Sequence, residues 1–243
     1  MSPKARFSLL TLAAIVGVAG TLWLGRWQLS RATEKETLQA SIDSRGALPP
    51  IDGASLVGAG DGASLYYRSV QLKGRWIAER TVFLDNRQMR AQPGFFVVTP
   101  LELLDSHTIV LVQRGWLQRN FIDRAALPRV ATPPGIVEVR GQVAPPPSRL
   151  YAFKGEDRGP IRQNLEVAAF AAETGLKLFG GSVRQTGRDD SNLLRDWPVP
   201  GTGVDKHYGY AFQWFALSAL LTGLYVWFQF FRRATGTRGS SRV

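Results

Sequence analysis

The sequence predicts an α+β membrane protein, with an antiparallel β-rich extramembrane domain held between N- and C-terminal transmembrane helices. Three observations carry this. Two uncharged apolar stretches, Phe7–Leu24 and Tyr208–Phe231, stand near the two ends of the 243-residue chain, each long enough to cross the roughly 30 Å hydrocarbon core of a bilayer as a helix. Between them run short alternating, β-branched segments separated by Gly, Pro and Asn, the pattern of locally joined strands. The basic residues flanking the apolar stretches on their outer sides have no acidic companions, the asymmetry of cytoplasmic flanks.

Residues 1–6 form a cytoplasmic tail with Lys4 and Arg6, and residues 7–24 the first span. Ala13, Gly17 and Thr21 recur at four-residue spacing, as do Ala219 and Gly223 in the second span. Small residues so placed let two helices approach closely in lipid; ordinary lipid-facing positions are the alternative. Residues 25–207 form the extracytoplasmic domain. It opens on a helix that continues from the membrane through Ser44, and Arg45–Ala63, rich in Gly, Pro and Ala, reads as loop. Strands are expected at Tyr66–Leu72 (extended or bulged by Lys73–Trp76), Thr81–Asp85, Phe95–Leu101, His107–Leu117 and Ile136–Val143. Their short separations favour an antiparallel meander or barrel over a parallel sheet. Pro145–Pro147 opens a long loop through Pro160. Leu165, Ala168, Ala169 and Ala172 give Asn164–Thr174 an apolar helical face that stops at Gly175. Val183–Gln185 is a candidate last strand. Trp197–Gly201 is a stiff approach to the second span, 208–231, which a cytoplasmic basic tail, 232–243, follows.

Composition removes several function classes. The chain has no cysteine, two methionines and two histidines, His107 and His207. Disulfides, thiolate metal sites and thiol nucleophiles are excluded, as is a three-histidine zinc or non-haem iron site. The net charge of +11 does not point to nucleic acid. Of the 30 basic residues, Lys4, Arg6, Arg232, Arg233, Arg238 and Arg242 lie outside the spans. The middle carries the other 24 against 19 acidic residues, a net +5 with the signs interspersed. A nucleic-acid platform needs a dense basic-aromatic stripe, and none is present. The tails place both termini in the cytoplasm and the middle outside, periplasmic in a bacterium or intermembrane in a mitochondrion. A cleaved signal peptide is the rival reading of the first stretch, given its short basic start and Val18-Ala19-Gly20. Trp23 and Trp27 favour the span, as interface anchors.

No nucleophile elbow, phosphate loop or metalloprotease motif is present, so no enzyme is expected. The ionisable residue best placed to act is His207, at the mouth of the second span. With both termini inside, Arg26, Trp27 and Gln28 stand at the same membrane face. A helix through His207 carries Tyr210, Ala211 and Trp214 at i+3, i+4 and i+7. An imidazole above an aromatic slot, with a guanidinium nearby, suits a flat apolar macrocycle with acidic edges. The imidazole serves as axial ligand to haem iron, and the arginine meets propionates. An interfacial histidine that anchors its helix is the alternative. Gln213, an amide within the span, is expected to face the first helix or the domain, and His107 to occupy a turn. Asp189-Asp190 has no histidine near it in sequence.

Five blocks in order, GRWQLSR (25–31), LDNR (84–87), PGFFVVTPL (93–101), VLVQRGWL (110–117) and HYGYAFQWFAL (207–217), resemble the surfeit locus protein 1 family of cytochrome c oxidase assembly factors. The chain departs from a frequent family reading, NRGW, at Gln113-Arg114-Gly115-Trp116, and residues 145–163 carry no correspondence. The resemblance implies a non-enzymatic factor in the bacterial inner membrane. It implies that the protein transiently binds haem a through His207 and passes it to the haem-containing subunit of the oxidase, with haem a synthase a further candidate partner. The resemblance makes the block with Arg26, Trp27 and Gln28 the other wall of that site, beside Tyr210 and Trp214 from the helix spacing. A cofactor-free chaperone for the same subunit is the alternative, and an oxidoreductase acting on haem or quinone a third reading.

The orientation is testable directly. Reporter fusions after Val243 should read as cytoplasmic, and fusions within residues 145–163 as external. A mature N-terminus near Thr21, found by intact-mass measurement, would remove the first span and with it the two-helix site.

Overall fold

The computed structural model describes residues 2–60, 62–120, 122, 127–151, 158–187, 192–198 and 203–231. The basic tail 232–243, Asp189-Asp190, residues 199–201 of the approach to the second span and 152–157 of the long loop lie outside them. The chain divides into a helical unit, Met1–Ala40 with Val199–Val243, and a β-rich unit, Ser41–Pro198.

Helix α1 runs unbroken over Pro3–Gly46, so the polar stretch after the first apolar run is helical, as its lack of breakers suggests. The next segment is not all loop. Asp52 caps a short helix, α2 (Gly53–Gly58), its Oδ1 accepting from the Ser55 backbone N–H at 2.9 Å. That hydrogen bond holds the Asp52 carboxyl below its ordinary value. One and a half turns are too short for an apolar period to be read. Yet the helix delivers Leu56, fully buried, to the core.

Strands follow at β1 (Ser69–Trp76), β2 (Val82–Met89), β3 (Gln92–Leu103), β4 (Ile109–Gln118), β5 (Ile136–Ala144) and β6 (Ile161–Arg162). Helix α3 (Val167–Thr174) and strand β7 (Leu178–Gln185) complete the unit. The expected strands exist with shifted ends. β1 starts after Tyr67 and β4 after His107 because both residues adopt positive φ, 72° and 52°, which ends extended pairing. β2 outlasts Asp85 by way of a bulge between Leu84 and Arg87. β7 extends well ahead of Val183 through Gly180 and Gly181, residues that weaken a strand signal. α3 is shorter than its pattern and turned differently. Ala168, Ala169 and Ala172 are exposed, and Phe170 with Leu165 is buried. Gly175, at φ 72°, ends it as expected.

The sheet is mixed rather than antiparallel. Among the described residues it has seven strands in the order β1-β5-β7-β4-β3-β2-β6. β1 also pairs with β3, Gly74 to Trp76 against Leu103 to Leu101, so five strands close into a ring. β4–β7 and β2–β6 are parallel, and the other pairs are antiparallel. The physical reason lies in the connections. A tight turn, Arg90-Ala91 with both φ positive, joins β2 to β3 and forces them antiparallel. The long passage from Pro145 through α3 lets β7 enter beside β4 in the same direction, as only a crossover can.

Closure requires Gly74. A Cβ there would meet the Glu102 carbonyl oxygen at 2.3 Å, so the backbones of β1 and β3 can approach only without a side chain. All five ring strands contribute to one interior cluster, with Leu72, Leu101, Val112, Val139 and Val183 among its members and Leu56 entering from α2. Phe170 of α3 and Leu165, just before it, cover the outer face of β2, β3 and β4, against Leu84, Val98 and Leu111. With both faces covered, β4 is buried from Ile109 to Trp116, which explains its near-continuous apolar reading.

Arg162 ties β6 to α3. Its guanidinium is buried and donates to both Glu173 carboxylate oxygens at 3.0 Å. That bonding holds the Glu173 carboxyl below its ordinary 4.5. A depressed carboxylate adds stability above its ordinary range and loses it as pH falls through the folded value. Glu173→Gln should therefore cost about 1 kcal/mol at neutral pH, a figure discounted for partial exposure. The gap to wild type should close in acid, below 4.5. Denaturant melts across that range test it, and a gap independent of pH would refute it.

Candidate functional site

The helical unit pairs α1 with helix α4 (Val204–Val226), which a π-helical turn, Trp227–Phe231, extends. Pro3–Gly46 and Val204–Phe231 are each long and apolar enough to cross a membrane. Their shielded positions follow one rule. On α1 they include Thr11, Ala14, Val18, Thr21, Gly25, Gln28 and Ala32; on α4, His207, Ala211, Trp214, Ser218, Leu221 and Tyr225. Steps of three and four alternate, the 3.5-residue seam of a coiled coil. The helices run antiparallel. The Thr11 and Tyr225 hydroxyls share a hydrogen bond of 2.7 Å. A Cβ on Gly17 would lie 3.5 Å from Leu221 Cδ1, and one on Gly25 only 2.6 Å from Phe215 Cε1.

This seam corrects two readings of the sequence. A row at strict four-residue spacing drifts about 40° per step around a 3.6-residue helix, so it cannot stay in the contact. Gly17 and Thr21 are in it, while Ala13, Ala219 and Gly223 are exposed. Gln213 falls between the seam positions Ala211 and Trp214 and is likewise exposed. It does not face the first helix.

The residues proposed for a ligand site divide clearly. Gln28 and His207 meet across the seam, His207 Nδ1 donating to Gln28 Oε1 at 2.7 Å. Both are half-buried. Trp214 lies two seam positions further along α4. Arg26 and Trp27, between the seam residues Gly25 and Gln28, are exposed, Trp27 by 47%. Tyr210 is exposed by 52%. One residue beyond His207, the Tyr208 hydroxyl donates to Glu36 at 2.9 Å. Two side-chain hydrogen bonds therefore fix the first turn of α4 against α1. The sequence reading expected His207 and Gln28 at the same end of the two helices; it contained no sign that they bond.

The β-rich unit holds a polar cleft the sequence reading missed. It has a volume of about 430 Å³ and is lined by Asp85, Asn86, Arg119, Ile161, Arg162 and Gln163. Asp85 and Asn86 stand at the β2 bulge, and Arg119 pairs with Asp85. Arg162 is held by Glu173, so both guanidinium groups already have carboxylate partners. Next to Asn86, buried Arg87 donates to Ser148 Oγ at 3.0 Å and to the Gln163 carbonyl at 2.9 Å. Burial lowers its pKa. Turn-forming residues inside a strand pattern, the Asp-Asn of LDNR, were the available signal for the bulge. His107 is a turn residue, its ring against Glu102 at 2.9 Å. Among the described residues no group of three or more His, Asp or Glu side chains is placed to hold a metal ion.

A cysteine-free chain suits a crosslinking test of the seam. Gly17→Cys with Leu221→Cys should join on mild oxidation, and Ala13→Cys with Gly223→Cys should not. The opposite result would restore the four-residue row as the contact.

Comparison with known proteins bears on these residues. The sequence model of the SURF1 family matches residues 15–219, which takes in both Gln28 and His207. The chain is 27% identical over 226 residues to a SURF1-like protein of Rickettsia bellii, across 89% of this chain and 88% of that protein. It is 25% identical over 235 residues to Surfeit locus protein 1 of Homo sapiens, across 87% of this chain and 74% of that one. A shorter match of 100 residues, 28% identical, covers 41% of this chain and 26% of the cytochrome oxidase assembly protein SHY1 of Saccharomyces cerevisiae.

Proposed function

We propose that this chain, which belongs to the SURF1 family, is an assembly factor for cytochrome oxidase. It takes haem a as cargo at the outer face of a bacterial inner membrane, holds it through His207, and passes it to the haem-containing oxidase subunit. Both termini are cytoplasmic and the β-rich unit periplasmic. Haem a synthase is the candidate donor. Similarity to a yeast protein named for cytochrome oxidase assembly supports the assembly role.

The observation that carries the haem reading is the state of the His207 ring. Nδ1 is engaged by Gln28 at 2.7 Å. With that bond donated by Nδ1–H, Nε2 of the neutral ring is the nitrogen with a lone pair to give. An imidazole nitrogen is a normal axial donor to haem iron. A metal-ligating histidine characteristically donates its other N–H to an oxygen, and that second bond is already in place. The residues fit the group.

The neighbours have separable roles. Arg26 supplies a guanidinium at the same turn of α1 as Gln28 and is the group to meet a propionate, with charge-assisted bonds. Trp27, Tyr210 and Trp214 provide aromatic surface for a flat ring. A single protein ligand on a half-buried seam gives a hold weak enough to release. That suits handover better than permanent storage.

Purification from a host that makes haem a, followed by pigment analysis and a reduced-minus-oxidised spectrum, tests the reading. His207→Ala should abolish the axial-ligand signature while the protein stays inserted and folded, because neither a cysteine nor a third histidine exists to replace it. Arg26→Ala should weaken haem retention, the charge-assisted bond being worth about 1.5–3 kcal/mol when the bound ring shields it. Arg26→Lys should recover only part of it, since the fork geometry is lost. A His207→Ala spectrum identical to wild type would reduce His207 to a helix anchor and favour the cofactor-free chaperone.

A further inference from the structure

The contact between Gln28 and His207 does more than join two helices. A side-chain carbonyl oxygen only accepts hydrogen bonds, and Gln28 Oε1 stands 2.7 Å from His207 Nδ1. The proton of the neutral imidazole must then sit on Nδ1, which leaves Nε2 as the unprotonated nitrogen. Which ring nitrogen is protonated is set by the hydrogen bond the other one makes or lacks. An unconstrained histidine side chain favours the opposite tautomer, with Nε2 protonated and unable to bind a metal.

The surroundings hold this bond in one geometry. Gln28 follows Gly25 by one turn, and at Gly25 the helices come close enough for Phe215 to occupy the space of a Cβ. Ala211, one turn after His207, is buried and brings no bulk beside the ring. Tyr208, the next residue, is fixed by its own bond to Glu36 at 2.9 Å. Turning the imidazole or the amide away breaks the 2.7 Å bond across the seam.

We propose that Gln28 is a positioning residue. Its side-chain carbonyl selects the Nδ1–H tautomer of His207 and sets the ring plane, so that Nε2 is presented as a neutral donor to haem iron before any haem arrives. This rests on the haem reading above. The choice of an amide also has a consequence for release. A carboxylate at this place would raise the basicity of the imidazole and tighten its hold on the metal. An uncharged carbonyl orients the ring without that gain, and cargo that must be passed on benefits from the weaker grip.

The test has one readout that needs no haem. The full chain, in lipid nanodiscs without added haem, is labelled with ¹⁵N-histidine. With only two histidines in the chain, His107→Gln assigns the spectrum. At a pH where the ring is neutral, wild-type His207 should show the Nδ1–H tautomer. Gln28→Leu should shift it to mainly Nε2–H, and Gln28→Glu should retain Nδ1–H. Wild-type His207 in the Nε2–H form would overturn the proposal, as would an unchanged tautomer in a folded Gln28→Leu protein.

The second readout is haem a dissociation from the same proteins. Gln28→Leu should weaken binding by roughly 10- to 100-fold, the usual effect of losing a partner behind a metal ligand. Gln28→Glu should release haem more slowly than wild type. Equal dissociation from wild type and Gln28→Leu, despite the expected tautomer change, would overturn the positioning role and leave the haem reading intact. Failure of wild type to bind haem a would overturn that reading and the iron-directed part of this proposal, while tautomer selection by Gln28 would still be decided by the nitrogen spectrum.

Discussion

Strand β3 has to serve three neighbours at once, and the β-rich unit is built around that requirement. Its first half pairs with β2, most of its length with β4, and its last three residues with β1. Twelve residues are enough for this only because β1 and β2 take different ends of one edge. The short contact of Gly74 to Trp76 with Leu101 to Leu103 turns an open sheet into a ring. Closure removes the exposed edges of the ring strands and creates an enclosed interior. Alternate residues from all five strands then share one apolar cluster.

Burial on both faces leaves little room for charge, yet several arginines are built into the walls. Arg87 lies against the ring of Phe96 at 5.9 Å, Arg114 over Trp76 at 4.8 Å and Arg162 over Phe170 at 5.2 Å. Arg162 has the Glu173 carboxylate within ion-pair distance. Arg87 and Arg114 spend their donors on hydroxyls and backbone carbonyls of the segments 131–132 and 148–163. A planar guanidinium can do this because it stacks on an aromatic face while its edge satisfies carbonyls. These arginines therefore act as braces between the sheet and the irregular segments. Trp116 joins the scheme by donating its indole N–H to the Arg87 carbonyl at 2.8 Å.

The helical unit solves a different problem. Between helices in lipid, apolar side chains gain little by leaving the hydrocarbon, so close approach and hydrogen bonds set the contact. The seam shows both: Gly17 and Gly25 where side chains of α4 press in, and polar pairs at Thr11–Tyr225 and Gln28–His207. Thr21, buried at mid-seam, turns its hydroxyl back to the Gly17 and Val18 carbonyls. A histidine in such a setting is oriented by a partner rather than by solvent.

Much of this was legible in the chain itself. Apolar length marked the two long helices, and β-branched alternation marked the main strands, because both signals arise from residues adjacent along the backbone. The topology argument expected His207 and Gln28 at the same end of the two helices, and the antiparallel pairing brings them together. Tertiary structure alone decided the rest. The parallel pairing of β4 with β7 depends on a crossover that no local period records. The plug residue Leu56 sits in a helix too short to announce itself. The outward turn of Gln213, Ala219 and Gly223 follows from a 3.5-residue seam chosen by two helices together, which neither helix encodes as a four-residue row. The bond between residues 28 and 207 spans 179 positions. Hydrogen bonds form between atoms brought within reach in space, and only the paired helices bring these two together.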